Sequence, residues 1–253
     1  MPTPQSTNHY PRAIAMLMGT IIGVGIFGLP YVIAKSGVAI GIVHVVVLTL
    51  AILVVHLAFG ELTLRTKEPH RLVGYARRYL GRWGWGIATV STILGMYGAL
   101  LAYLIVGGQF LHDLIGTATG FSPRMHSVII GIGMLIAVGI GLRLIEELEF
   151  LLTAFLFIAM AIIFIVGAQR VDVANWMTVQ TSSALLPYGA VLFALGGVSV
   201  IAEIREALRG RERLLPHAIT WGTLLAALLT TCFVLTVVGV SGSATSPEAI
   251  AGL

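Results

Sequence analysis

The sequence has few charged residues and a single cysteine. Only 10% of its 253 residues are charged, against about 25% in an average soluble domain. Because Cys232 is the single cysteine, an intramolecular disulfide is excluded. It lies inside a long apolar segment. No Cys or His cluster has the spacing of metal ligands, and no nucleophile, base and orienting group recur together. We therefore expect no metal, no cofactor, no catalytic residue and no enzymatic activity.

Hydrophobic residues are what the sequence has in excess, at 57% of the chain with a mean hydropathy of +0.97. A membrane-spanning helix needs about 20 mostly apolar residues. We predict an all-α integral membrane protein, with residues 1–253 forming a single transmembrane domain in a lipid bilayer. The seven segments that we predict as transmembrane helices one to seven are Ala13–Ala34, Val38–Leu62, Gly86–Leu114, Ser127–Leu142, Phe150–Ala168, Ala184–Ala207 and Leu215–Val240.

The basic residues collect in alternate connections between these helices. With the N-terminus inside, the outer side keeps only Lys35, Arg124 and Arg170 of the 15 basic residues. Because Lys and Arg accumulate in short cytoplasmic loops, we predict a multi-pass protein of the cell membrane with a cytoplasmic N-terminus. The net charge of +4 reflects this topology, and we expect no nucleic-acid binding because no soluble fold presents the basic residues.

Two of the predicted helices are interrupted by helix-breaking residues. In a helix interior Gly costs about 1 kcal/mol relative to Ala and Pro about 3 kcal/mol, and an interruption within the membrane survives only beside protein or a polar cavity. Paired broken helices indicate the binding site of an inverted-repeat transporter. We predict an incomplete five-plus-five fold, in which 13–168 is the first repeat and 184–240 holds the first two helices of the second. The interrupting residues are Gly23, Gly25, Gly28 and Pro30 in helix one, and Gly189, Gly196 and Gly197 in helix six.

Two other interpretations of the glycines in helix one were weighed. Gly19 and Gly23 form a G-x-x-x-G that is typical of simple helix packing, but packing explains neither Pro30 nor the second interruption. The G-x-G-x-x-G beginning at Gly23 matches a dinucleotide-binding fingerprint. That match is excluded because no strand precedes it and no acidic residue follows about 20 positions later.

The two interrupted segments also carry a family resemblance. Residues 19–37, GTIIGVGIFGLPYVIAKSG, look like the first helix of amino acid permeases in the amino acid, polyamine and organocation transporter superfamily, and residues 192–206, LFALGGVSVIAEIRE, resemble the sixth. The LPY and AEIRE within them are most similar to the aromatic and general amino acid permease branches. Those families have more helices than seven, so the resemblance implies the N-terminal portion of a transporter.

Backbone groups at the two interruptions are the predicted substrate ligands. Freed amides at the first, together with the positive end of the following half-helix, favour a carboxylate. The predicted amide donors are those of Gly23, Val24 and Gly25. The resemblance implies that the substrate ammonium is held by the carbonyls of Phe193, Ala194 and Leu195, with Gly196 and Gly197 letting the chain unwind. For selectivity towards the side chain of an aromatic or hydrophobic amino acid, we choose Phe193 and Tyr97.

Other polar residues receive structural interpretations first. His44 and His56 are about 120° apart around helix two, so we expect packing rather than a metal pair. Glu61 and Arg65 have the spacing of a local ion pair. Glu203 and Arg205 follow the second interruption. Two interpretations of them are left open: an inner gate that is closed by charge pairing, and a solvated helix end.

The resemblance implies secondary active transport of amino acids by alternating access, with helices one, two, six and seven rocking against helices three to five. The coupling ion is left open between a proton and sodium, since predicted helix five has no lysine and an eighth helix would carry the sodium ligands. The alternative is a non-transporting membrane subunit or fragment that docks a partner supplying the missing C-terminal half. A seven-helix receptor is disfavoured by the inside N-terminus.

Overall fold

The computed structural model describes residues 9–247, and within that range the side chains of 142–150, 152 and 153 lie outside the description. Regular structure in the described part is helical throughout, as predicted. The α-helices, in chain order, are α1 (His9–Ile21), α2 (Gly25–Ser36), α3 (Val38–Arg65), α4 (Leu72–Thr119), α5 (Pro123–Ile140), α6 (Leu142–Ala168), α7 (Leu186–Ala194), α8 (Ile201–Ala207) and α9 (Leu215–Ser241). Short 3₁₀ helices lie at Val173–Trp176, Thr181–Ser183, Val198–Val200, Glu212–Leu214 and Gly242–Ala244.

Each predicted transmembrane helix has a counterpart in this order. Helix one is the pair α1 and α2, helix six is α7 and α8, and helices two, three, four, five and seven are α3, α4, α5, α6 and α9. The two interruptions fall where the sequence placed them, at residues 22–24 and 195–200. Three of the residues predicted to interrupt the helices lie within them instead: Gly28 and Pro30 inside α2, and Gly189 inside α7.

The helix lengths fit a bilayer. Five helical segments are long and apolar enough to cross a membrane, and α1 with α2, bent by 56° at the interruption, forms a sixth. The part of α6 whose side chains are described, Ala154–Ala168, is apolar but shorter than a full span. Among the described residues the structure therefore supports six of the seven predicted spans. The remaining one, predicted helix five, corresponds to α6.

The long helix α4 is divided by one residue. Gly81 has φ 69° and ψ −154°, which is not helical, and glycine adopts a positive φ without the penalty that a Cβ brings. The turn separates a short segment, 72–80, from the membrane-spanning part that follows. This explains why α4 begins well before the predicted start at Gly86.

Helix α9 is the centre of the packed core. It contacts α1, α2, α3 and α6, and its buried side chains include Leu215, Phe233 and Val237. The interrupted helices pack on it and on α3, so α1, α2, α3, α7, α8 and α9 form one bundle. In contrast, α4 packs mainly on α5, and none of its most apolar 18 residues is buried.

Candidate functional site

The first interruption, residues 22–24, which we call break one, leaves two backbone amides without a partner among the described residues. The amide of Ile22 still donates to the carbonyl of Met18 at 2.7 Å, but the amide of Gly23 donates to Ile21 at 2.9 Å. The next helix then starts with short-range bonds to the carbonyls of Gly23 and Val24. Within the described part of the chain no acceptor faces the amides of Val24 and Gly25. Two of the three predicted donors are thus available, whereas the Gly23 amide is already used.

The second interruption, residues 195–200, which we call break six, leaves backbone carbonyls without a partner in the described part of the chain. The amide of Gly196 donates to the carbonyl of Phe193 at 3.3 Å, and the amide of Leu195 donates to that of Val191 at 3.0 Å. No donor among residues 9–247 reaches the carbonyls of Ala194 or Leu195. Of the three predicted acceptors, Phe193 is therefore occupied by a local turn and the other two are available.

The two breaks touch each other. A Cβ added to Gly25 would lie 2.9 Å from the Cα of Ala194 and 3.0 Å from Cδ1 of Phe193. A Cβ on Gly197 would lie 2.8 Å from Cγ1 of Ile21, at the end of α1. Glycine is needed at both places because the two backbones approach more closely than side chains permit. Free amides of break one and free carbonyls of break six are thereby brought to neighbouring positions.

A cavity of about 340 Å³ adjoins break one. Pockets for small ligands measure about 300–1,000 Å³, so this one has room for a ligand of amino acid size. Three aromatic rings contribute to its wall, and two of them, Phe27 and Phe110, meet edge to face with centroids 5.2 Å apart. The lining residues are Gly19, Ile22, Gly23, Val24, Phe27, Tyr103, Val106, Gly107, Phe110 and Leu156.

Neither predicted selectivity residue lines this cavity, although the ring of Phe193 lies against Gly25 at break one. Tyr97 is 70% exposed and does not line the cavity, and Phe193 is 48% exposed and also outside its lining. The tyrosine of α4 that does line the cavity is Tyr103, whose hydroxyl lies 2.9 Å from the position of a Cβ on Gly23. Six residues turn a helix by about 240°, so Tyr97 and Tyr103 cannot face the same way.

A signal for Tyr103 was present in the sequence. The cavity residues of α4 are Tyr103, Val106, Gly107 and Phe110. They recur at the i, i+3, i+4, i+7 spacing of a single helix face. Their spacing identifies the face, but only the packed structure identifies which face of α4 meets break one.

The predicted gate residues contact the connection between α3 and α4. Arg71 lies 3.4 Å from Glu203 and 3.8 Å from Glu206. Arg205 donates to the backbone carbonyl of Thr66 at 3.1 Å and to the hydroxyl of Tyr75 at 3.4 Å. Glu203 and Arg205 thus bond across to another segment rather than to each other. We call this set of contacts the arginine latch.

The remaining polar residues have local partners. Glu61 and Arg65 form the predicted ion pair. His44 contacts the carbonyl of Ile40 in its own helix at 2.9 Å. His56, 1% exposed, lies 3.0 Å through Nδ1 from the hydroxyl of Thr223 on α9. Over the residues that the structure describes, no group of three or more His, Cys, Asp or Glu could hold a metal ion.

An all-α multi-pass membrane protein with two interrupted helices in contact beside a cavity has the architecture of the broken-helix membrane transporters. Sequence comparison gives the family. The chain belongs to the tryptophan/tyrosine permease family, whose model matches residues 7–249. The resemblance to amino acid permeases is thus confirmed.

Two curated relatives are similar over most of this chain. One is the tyrosine-specific transport system 1 of Haemophilus influenzae, 26% identical over 214 residues, which are 82% of this chain and 52% of the relative. The other is the serine/threonine exchanger SteT of Bacillus subtilis, 27% identical over 227 residues, 86% of this chain and 51% of the relative. The chain therefore spans about half the length of the curated relatives that it matches.

Proposed function

We propose that this chain carries the substrate-binding breaks of a secondary amino acid transporter. The contact between Gly25 and Ala194 is the observation that carries the proposal, because it places the free amides of break one next to the free carbonyls of break six. The amides of Val24 and Gly25, at the positive end of α2, bind the substrate carboxylate. The carbonyls of Ala194 and Leu195 accept from its ammonium group. Both ends of a zwitterion common to all amino acids are then recognised by backbone atoms.

The cavity beside break one supports an aromatic or hydrophobic amino acid as substrate. Its rings, Phe27, Tyr103 and Phe110, offer edges and faces to an apolar side chain. The relatives are named for tyrosine and for serine/threonine transport, and the family for tryptophan and tyrosine. Among these, the lining favours tryptophan and tyrosine. Tyr103 replaces Tyr97 in this proposal as the residue of α4 that contacts the substrate.

We further propose alternating access, with the arginine latch closing the cytoplasmic side. Breaking the contacts of Arg71 and Arg205 frees α8 from the connection between α3 and α4, which opens a path to break six. The N-terminus then lies in the cytoplasm, on the latch side. Transport is coupled to a proton or sodium gradient.

The test is uptake of radiolabelled L-tryptophan, L-tyrosine and L-serine by cells that produce the complete protein. An imposed proton gradient and an imposed sodium gradient are applied in separate arms. Gly25→Leu should abolish saturable uptake because its side chain overlaps the backbone of Ala194. Gly28→Ala is the matched control, since a Cβ there meets no atom within 4 Å. Unchanged uptake by Gly25→Leu would refute the proposal.

One observation favours a second candidate function, a membrane subunit that docks a partner chain. The most apolar 18 residues of α4 include none that is buried, so this helix has a face free for another protein. Stable co-purification with a chain that supplies further helices, with no uptake by either chain alone, would support this candidate. Uptake by this chain alone would exclude it.

A further inference from the structure

A second cavity, of about 190 Å³, lies at the end of the molecule away from the arginine latch. Three segments form it: the last turns of α2, the connection between α6 and α7, and the end of α9 with the residues that follow. It is smaller than the roughly 300–1,000 Å³ of a typical drug-sized site, so its occupant must be small. We call it the outer pocket.

The walls of the outer pocket are held by hydrogen bonds that cross between the three segments. The amide of Gln180 donates to the carbonyl of Ser36 at 3.0 Å, which fixes the connection to α2. The side chain of Asn175 donates to the carbonyl of Gly239 at 2.9 Å, and the indole of Trp176 donates to that of Leu235 at 3.0 Å. The pocket is therefore built into the fold before any ligand arrives.

Two glycines permit this arrangement. Gly37 has φ +94°, and a Cβ there would overlap the carbonyl oxygen of Thr178. Gly242 has φ +51°, and a Cβ there would overlap the side-chain amide of Asn175. Side chains rarely adopt a positive φ, so both turns that bring the walls together depend on glycine.

Donors without an internal partner converge on the pocket from all three segments. They are the ammonium of Lys35 on α2, the side-chain amide of Gln180 on the connection, and the hydroxyl of Ser243 after α9. None of the three side chains has a hydrogen-bonding partner among residues 9–247. Asn175, Thr178 and Thr245 of the lining are used inside the protein: for example, the hydroxyl of Thr245 donates to the carbonyl of Gly242 at 2.7 Å. The hydroxyl of Tyr31, which also lines the pocket, has no hydrogen-bonding partner among residues 9–247.

The charge of the pocket has one sign. Lys35 is the charged residue of its lining, and its ammonium lies 5.6 Å from the ring centroid of Tyr31. No carboxylate of the described residues lies within 4.0 Å of Lys35. A cation beside unpaired neutral donors favours an oxyanion, because a carboxylate accepts hydrogen bonds from several donors at once.

We propose that the outer pocket binds the carboxylate of a free amino acid, as a second site distinct from the breaks. Lys35 pairs with the carboxylate, and Gln180 and Ser243 donate hydrogen bonds to it. The pocket and break one share α2, whose length from Gly25 to Lys35 is about 15 Å, so an amino acid held here is positioned at the mouth of the transporter. The identity of the ligand rests on the proposed function.

The chain has two lysines, Lys35 and Lys67, and both are exposed, which provides an internal control. The purified full chain in neutral detergent is treated with an amine-reactive reagent, and labelling of each lysine is followed by mass spectrometry. Exposed charge pairs contribute about 0.2–1 kcal/mol, so saturating L-tryptophan should slow labelling of Lys35 by about 1.5- to fivefold. Because the α-amines of both ligands also consume the reagent, the result is read as labelling of Lys35 relative to Lys67. L-tryptophan should lower this ratio, and L-tryptophanamide, which has no carboxylate, should leave it unchanged.

Equal protection of both lysines, or protection of neither, would overturn the proposal. So would protection of Lys35 by vesicles of anionic phospholipid but not by L-tryptophan, because a lipid phosphate would then be the occupant. Lys35→Gln should weaken one class of tryptophan-binding sites by about 1.5- to fivefold in equilibrium dialysis. Arg124→Gln, which removes the same charge outside the pocket, should weaken none.

Failure of this proposal can be told apart from failure of the proposed function. Gly25→Leu removes the central class of sites and leaves protection of Lys35 intact if both proposals hold. If Gly25→Leu changes nothing while Lys35→Gln weakens a class, the proposed function fails and the outer site stands. If Lys35→Gln weakens no class while Gly25→Leu removes one, the outer site is refuted alone.

Discussion

The closeness of the two breaks is directly testable with Gly25→Ala. The added methyl carbon would lie 2.9 Å from the Cα of Ala194 and 3.2 Å from its Cβ. Carbon atoms in contact normally sit about 3.5–4.0 Å apart, so α2 and α7 must separate by roughly 0.6–1.1 Å to relieve the shorter contact. Overpacking of this kind costs about 1–3 kcal/mol. At Gly28 the same substitution meets no atom within 4 Å, and it gains up to about 1 kcal/mol of helix propensity.

The two variants should therefore differ in free energy of unfolding by about 1–4 kcal/mol. For a chain of this length, each kcal/mol corresponds to about 2–4 °C in the midpoint of thermal unfolding. The assay is thermal unfolding of the purified full chain in detergent, with Gly25→Ala and Gly28→Ala measured side by side. Equal midpoints for the two variants would refute the contact between the breaks.

Three further predictions concern other contacts. Thr223→Val leaves the buried ring of His56 without its hydroxyl partner and should lower the free energy of unfolding by about 1–3 kcal/mol. The control, Thr220→Val, loses only a hydrogen bond within its own helix and should lower it less. Equal midpoints of thermal unfolding for the two variants would contradict this prediction. Gly37→Ala should lower the free energy of unfolding by at least about 1 kcal/mol because position 37 has a positive φ. A midpoint of thermal unfolding equal to that of the wild type would show that this turn imposes no strain on alanine. Arg205→Gln loses hydrogen bonds across the arginine latch that are worth about 1 kcal/mol. The rate of amide hydrogen exchange in residues 66–75 should therefore rise about fivefold. An unchanged exchange rate would refute the latch.

Within the site, the local sequence predicted the positions of the two breaks, but not which backbone groups at each break are available to a substrate. The breaks follow from glycines in apolar sequence, and the structure has them where expected. Gly23 and Phe193 differ from expectation because tight turns consume the Gly23 amide and the Phe193 carbonyl. Such turns depend on exact backbone angles, which the identity of the residues leaves open.

The rotation of each helix about its axis was beyond the sequence. Tyr97 and Tyr103 lie on one apolar helix, and both are plausible neighbours of break one until α4 is oriented. That orientation depends on packing against α5, which follows directly in the chain, and against the helices of the bundle, which are distant in the sequence. The arginine latch is similar, since Arg205 bonds to Thr66 across 139 positions of the chain.

The sequence by itself determined that this is an all-α membrane protein, where its helices run, which two are interrupted, and its resemblance to amino acid permeases. These properties are local, because hydrophobic length and helix-breaking residues act within a single segment. The tertiary structure alone decided that Gly25 meets Ala194, that Tyr103 faces the cavity, and that Lys35, Gln180 and Ser243 share the outer pocket. Those contacts join segments far apart in the chain, and only the packing of whole helices sets the distances between them.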